Sequence, residues 1–149
     1  MKLGIKNKVA IVTGGATGIG FAIAIGLAKE GAKVVITSRN KSSLRESILE
    51  LKKLNKSCEG FLIDVSKKNG PELLIKKTIN KFKHIDILVN NVGDTLNIMD
   101  PHCSENDWIK LFKLILGVAI QMNNLVIPIM NKKKWGRIVN ITAGASMEN

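Results

Sequence analysis

Thr13-Gly14-Gly15-Ala16-Thr17-Gly18-Ile19-Gly20 is the stretch of this chain whose residue types and spacing most directly imply chemistry. Glycine tolerates positive φ and lets backbone come close to a ligand. A short apolar run, residues 9–13, precedes the turn, and apolar residues at helical intervals follow it. The turn therefore joins a buried strand to a helix N-terminus. The free N–H groups and partial positive charge of that N-terminus, near Gly18 or Ile19, suit a pyrophosphate. Gly20 lets the helix lie close to the strand. The spacing is T-G-x-x-x-G-x-G, from Thr13 through Gly14, Gly18 and Gly20, and not the G-x-G-x-x-G fingerprint. No Lys-Ser or Lys-Thr follows the glycines, which excludes a P-loop. Cys58 and Cys103 make neither a metal spacing nor a disulfide framework. They read as free thiols of a reducing compartment, so a cytoplasmic protein without a metal site is expected.

The elements that must position this turn alternate. Strands are expected at residues 9–13, 33–37, 59–64, 85–90 and 137–142. Between them fall helical patterns. The first carries Ile19, Ala22, Ile23, Gly26 and Leu27 and stops at Gly31. The second carries Leu44, Ile48 and Leu51, with Ser43 and Glu46 in capping-box spacing. The third opens on Gly70-Pro71 and buries Ile75, Ile79 and Phe82. The fourth opens on Ser104 and Asp107, again in capping-box spacing, and shows Trp108, Leu111, Phe112 and Ile115 on its way toward Met130, with Gly117 and Pro128 as candidate bends. Strands alternating with helices imply a parallel sheet, because each crossover must return the chain. Continuous apolar strands imply that both faces are covered.

The chain has 149 residues, 45% hydrophobic and 23% charged, which suggests one soluble globular domain spanning residues 1–149. No signal peptide is expected. No membrane span is expected either, because Lys113, Gln121, Asn123 and Asn124 interrupt the most apolar stretch, residues 111–130. The net charge of +11 is high. Its lysines gather at helix ends and turns, as at Lys132, Lys133 and Lys134, without interleaved aromatics. They read as solvent-facing residues and not as a nucleic-acid surface.

The glycine turn resembles the cofactor signature of the short-chain dehydrogenase/reductase family, and four landmarks agree with it in order. Asp64-Val65 ends the third strand, where the family contacts adenine. Asn90-Asn91-Val92-Gly93 is similar to the family's N-N-A-G. The stretch from Trp108 to Met130 looks like its long fourth helix, and Gly136-Arg137-Ile138-Val139-Asn140-Ile141 like the start of its fifth strand. The resemblance implies an α/β, Rossmann-type doubly wound parallel sheet in the order 3-2-1-4-5, here truncated after the fifth strand. It also implies a dinucleotide partner held by Gly14, Thr17, Gly18, Ile19, Gly20, Ser38, Arg39, Asp64, Val65, Asn90 and Gly93. The implied reaction is hydride transfer between NAD or NADP and a carbonyl or alcohol.

The family's catalytic residues find no match here. Its general acid/base is a tyrosine assisted by a lysine, because a free phenol near pKa ~10 is a poor base at neutral pH. That Y-x-x-x-K pair would fall beyond Asn149, and the chain contains no tyrosine. The family serine aligns with Ala143 and the helix-four asparagine with Ile115. Thr142, Ser146, Asn123 and Asn124 are the nearest polar substitutes and read as ordinary strand-end and helix residues. No catalytic residue is therefore assigned. A small-molecule substrate is expected only for a full-length relative, and these residues alone are expected to be inactive. The alternative is a non-catalytic NADP-binding or interaction protein that kept the fold. Strand two ends in Ser38-Arg39, where an acid would bond the ribose diol of NAD. A guanidinium there suits a 2′-phosphate, so NADP is favoured over NAD. A sheet edge left open at strand five, and the surplus of apolar side chains at Leu114, Leu116, Val118, Ile120, Leu125 and Ile129, imply self-association.

Overall fold

The computed structural model describes residues 3–100 and 102–142. Its elements run β1 (Val9–Val12), α1 (Gly18–Lys29), β2 (Lys33–Ser38), α2 (Lys41–Leu54), β3 (Glu59–Leu62), α3 (Gly70–Phe82), β4 (Ile87–Asn90), α4 (Glu105–Phe112), a π-helical turn (Lys113–Gly117), α5 (Val118–Lys132) and β5 (Arg137–Asn140). Among the described residues the strands form one parallel sheet in the order β3-β2-β1-β4-β5. Its registers include Ile11 opposite Val35 and Leu88, and Val89 opposite Val139.

Each face of the sheet carries its own core. On one face Ala10, Val12, Val34, Ile36, Ile87 and Val89 meet Ala24 and Ala28 of α1 and Leu44 and Leu51 of α2. On the other, Ile11, Val35, Ile85 and Leu88 meet Leu74 and Ile75 of α3 and Val118, Met122, Val126 and Met130 of α5. The strands β1 and β4 are buried along their whole length, as their unbroken apolar sequences require.

Several boundaries and faces differ from the sequence reading. Ladder pairing in β3 stops at Leu62, so Asp64 lies in the turn that follows, although the Ile63 N–H still bonds Ser38 O at 3.1 Å. Pairing in β5 likewise stops at Asn140, and β4 begins at Ile87. The N-cap of α2 is Asn40, not Ser43. Asn40 is extended and its side chain accepts the Ser43 N–H at 3.0 Å, while Glu46 takes the Ser42 hydroxyl. In α1 the buried face is Gly20, Ala24 and Ala28, and Ile19 and Ala22 stand exposed. Small residues four apart let α1 come close to the sheet, which pushes its bulkier apolar residues to the rim. On α3 the face is centred on Leu74, Ile75 and Thr78, with Ile79 and Phe82 at its border. The Ser104 cap appears as read, its hydroxyl oxygen accepting the Asp107 N–H.

The helix from Glu105 to Lys132 continues through its π-helical turn, with Gly117 inside that turn and Pro128 inside α5. By length and composition it could cross a membrane, which the interrupting polar residues had argued against. The stripe of Leu114, Val118, Met122, Val126 and Met130 is instead buried against the sheet and α3. Of the residues expected to be surplus, Leu114 and Val118 are buried, and Leu116 and Ile120 stay half exposed.

Candidate functional site

The C-terminal ends of β1, β2 and β4 converge on a cleft of about 520 Å³, within the size range of small-molecule pockets. Its walls include Gly14, Thr17, Gly18, Ile19, Ser38, Arg39, Asp64, Val65 and Gly93. Nine of the residues expected from the sequence are thus brought together. Gly20 and Asn90 are buried and are not among the residues that line it.

The glycine turn is shaped by three different needs. Gly14 and Gly18 take φ of +61° and +52°, which side-chain-bearing residues rarely adopt. Gly20 has an ordinary backbone, but a Cβ there would lie 2.7 Å from Gly14 O and collide with the Asn91 amide. Gly15, outside the expected set, is equally tight: a Cβ would meet Ile36 Cγ2 at 2.8 Å and Val12 O at 2.9 Å. The turn is also tied to its neighbours. Gly14 N–H donates to Thr37 Oγ1 at 3.2 Å, and Asn91 Nδ2 donates to Thr13 O and Gly14 O at 3.2 and 3.3 Å. The Asn91 N–H completes the clamp on Thr13 Oγ1 at 3.0 Å. Asn91 is therefore a site-building residue that sequence reasoning missed; its place in the N-N-x-G motif was the available signal.

Behind this turn, α1 begins without a side-chain cap. Thr17 is extended, makes no capping hydrogen bond, and no acidic residue occupies the first turn. A helix start left in this condition presents N–H donors and partial positive charge to whatever enters the cleft.

At the far end, Ser38 Oγ accepts the Asn40 N–H at 3.0 Å, and Arg39 Nη2 reaches Asp94 Oδ2 at 3.4 Å. Burial pushes the Asp64 carboxyl up. Hydrogen bonds from the Ser66 hydroxyl and N–H, with the nearby charges of Arg39 and Lys67, outweigh it and hold the group below the ordinary carboxylate value. Both Ser66 bonds, at 2.6 and 2.9 Å, fall on Oδ1.

Asn90 points the other way. Its Nδ2 donates to Oδ1 of Asn123 and of Asn140, both at 2.9 Å, joining β4, α5 and β5. Its own Oδ1 is buried and finds no partner among the described residues. The three amides line a neighbouring cavity of about 260 Å³, walled by Ile115, Leu116, Ala119 and Ile120. Asn123 is thus engaged in holding the sheet edge, Asn124 is exposed, and Ile115 sits within the π-helical turn. Ala143 and Ser146 lie outside the described residues; Thr142 is exposed at this cavity's border. No cluster of potential metal ligands occurs among the described residues.

Comparison with known proteins agrees with this architecture. The short chain dehydrogenase family model matches residues 8–149. The chain belongs to the short-chain dehydrogenase/reductase family, whose members are NAD(P)-dependent oxidoreductases. Among similar proteins is 3-oxoacyl-(acyl-carrier-protein) reductase of Thermotoga maritima, 30% identical over 93% of this chain and 56% of that protein. The reductase of the same name from Synechocystis is 35% identical over 96% of this chain and 58% of its own length. Among solved structures, L-sorbose reductase from Gluconobacter frateurii, complexed with NADPH and L-sorbose, aligns with a TM-score of 0.86 and 32% identity, covering 94% of this chain and 54% of that one. A 7α-hydroxysteroid dehydrogenase complexed with NADH aligns at 0.90 and 29% identity, covering 97% and 56%. The chain therefore spans little more than half the length of these relatives.

Proposed function

We propose that this chain is the nucleotide-binding part of an oxidoreductase and that its cleft takes NADP in preference to NAD. The observation that carries the reading is the uncapped N-terminus of α1 facing a turn in which Gly14 and Gly18 adopt positive φ. An anion is the natural occupant of such a place, and a pyrophosphate fits the close approach that the glycines leave open. Asp64 fits adenine at the other end: Ser66 occupies Oδ1 and leaves Oδ2 as an acceptor for an exocyclic amine. Val65 and Gly93 complete that wall. The choice of NADP rests on Ser38 and Arg39, because a carboxylate at the end of β2 would repel a 2′-phosphate and a guanidinium would bind it.

When bound, the dinucleotide supplies a hydride for exchange with a carbonyl or alcohol. The described residues bind and orient it. They hold no group suited to move the accompanying proton, since Ile115 and Asn123 offer none and the 149 residues include no tyrosine. These residues alone are therefore proposed to lack turnover, a positioned acid/base being worth roughly 10²–10⁴-fold. The same observation favours a second reading, an NADP-binding or interaction protein without catalysis. NADPH oxidation by the isolated chain with a simple carbonyl, lost on Gly14→Val, would overturn the inactivity. We place the protein in the cytoplasm, in keeping with its two free thiols.

Cofactor choice is tested by titrating NADP and NAD into the wild type, Arg39→Ala and Ser38→Asp. Arg39→Ala should lower the NADP-over-NAD ratio at least about ten-fold, as expected for a lost charge-assisted contact. Ser38→Asp should reverse it. An unchanged ratio in Arg39→Ala contradicts the assignment.

A further inference from the structure

Arg39 and Asp94 belong to opposite walls of the cleft, one at the end of β2 and the other in the segment after β4. Their side chains meet across it at 3.4 Å. Both are exposed, at 61% and 42%, so the pair can open at little cost. The Asp94 carboxylate is nonetheless held in place. Its Oδ1 accepts the Leu96 N–H at 2.9 Å, and the chain then turns through Leu96 and Asn97 at φ of 52° and 60°. Arg39 also feels Asp64, whose carboxyl it helps keep ionised. The Arg39 guanidinium therefore contacts Asp94 and lies within electrostatic reach of Asp64.

We propose that Asp94 is a specificity-determining residue: it holds Arg39 across the cleft and competes for it with the 2′-phosphate of NADP. The inference rests on the reading of Arg39 given above. A 2′-phosphate must draw Arg39 away from Asp94, and it then lies in the same cleft as the carboxylate it has displaced. NAD carries no such phosphate and needs no exchange of partners. Asp94 accordingly acts against NADP selectively and narrows a preference that Arg39 alone would make wider. An exposed ion pair shifts an equilibrium by no more than about five-fold, which sets the size of the effect.

The test is a double-mutant cycle on the full chain, with NADP and NAD titrated into wild type, Asp94→Asn, Arg39→Ala and the double variant. Asp94→Asn keeps the side-chain oxygen that caps Leu96 and removes only the charge. The expected result is about three- to five-fold tighter NADP binding, a correspondingly higher NADP-over-NAD ratio, and a smaller gain in higher salt. In the Arg39→Ala background the same substitution should lose most of its effect; an undiminished gain there would mean direct repulsion by Asp94 and would refute competition for Arg39. If Arg39→Ala lowers the ratio but Asp94→Asn leaves it unchanged, or tightens both nucleotides equally, the role of Asp94 is refuted and the NADP reading stands. If Arg39→Ala leaves the ratio unchanged, the NADP reading itself fails and the role of Asp94 falls with it.

Discussion

Asp86 shows how a single buried charge is kept at the end of the sheet away from the cleft. Its side chain is fully buried; Oδ2 accepts the Val9 N–H at 2.9 Å and faces His84 Nε2 at 3.1 Å, and Oδ1 accepts Lys133 Nζ at 2.8 Å, with Lys8 at 3.8 Å. Burial raises its pKa, but the bonds from Lys133 and Val9 and the charges of His84 and Lys133 outweigh that and hold it below its ordinary value of 3.8. A folded-state pKa below the unfolded one means stability that is fully present above about pH 4 and lost as pH falls through the folded value. Asp86→Asn should therefore cost about 2–3 kcal/mol at pH 7, somewhat less than a fully buried pair because the lysines keep some water. It should also flatten the acid limb of stability against pH, read by urea denaturation between pH 3 and 7. An equally steep limb in the variant would remove Asp86 as its source. Neither this cluster nor the Arg39–Asp94 contact was legible in the sequence. Apart from the neighbouring His84, their partners lie 47, 55 and 77 residues apart, and only the fold brings them together.

At the scale of elements, the order of strands and helices was legible because strand periods and helix periods are different and the turns carry Gly, Pro and Ser. The face of α1 was not. Apolar periodicity marks Ile19, Ile23 and Leu27, whereas close packing selects Gly20, Ala24 and Ala28, a distinction of side-chain volume that a hydrophobic pattern does not record. Two substitutions test this packing. Ala24→Leu should destabilise by about 1–3 kcal/mol through overpacking against the sheet. Gly20→Ala, whose Cβ would approach Gly14 O to 2.7 Å, should displace the glycine turn and weaken dinucleotide binding more than it weakens the fold. Calorimetric titration beside chemical denaturation separates the two effects. Equal NADP affinity in wild type and Gly20→Ala would show that the turn adjusts freely. The N-cap of α2 was misplaced by three residues for a related reason. Asn40 and Ser43 are both competent caps, and the extended backbone at Asn40 decides between them.

The whole molecule exposes more apolar surface than a sheet covered on both faces implies. Trp108, Phe112, Ile115, Leu116 and Ile120 are each about half exposed along the outer side of the long helix, and Trp108 and Phe112 pack on one another at 6.4 Å. Beside them β5 pairs with β4 and, among the described residues, with no other strand, leaving Val139 half exposed. An open strand edge and a contiguous apolar patch both favour association. The isolated 149 residues are expected to self-associate at micromolar concentration, and Phe112→Glu with Ile120→Lys should shift sedimentation toward monomer. A wild-type chain that sediments as a folded monomer would count against this. The position of the cleft, by contrast, was legible from Gly14 to Gly20 alone, because a glycine-rich link between β1 and α1 in a parallel sheet always opens at the strands' C-terminal ends. Occupancy of this cleft by NADP is read from amide NMR of the labelled chain during NADPH titration. Saturable shifts are expected at Gly14, Gly18, Ile19, Ser38, Arg39, Asp64 and Gly93, with weaker changes at equal NADH. Absent shifts, or shifts gathered on the lysine-rich end at Lys132, Lys133 and Lys134, would contradict it.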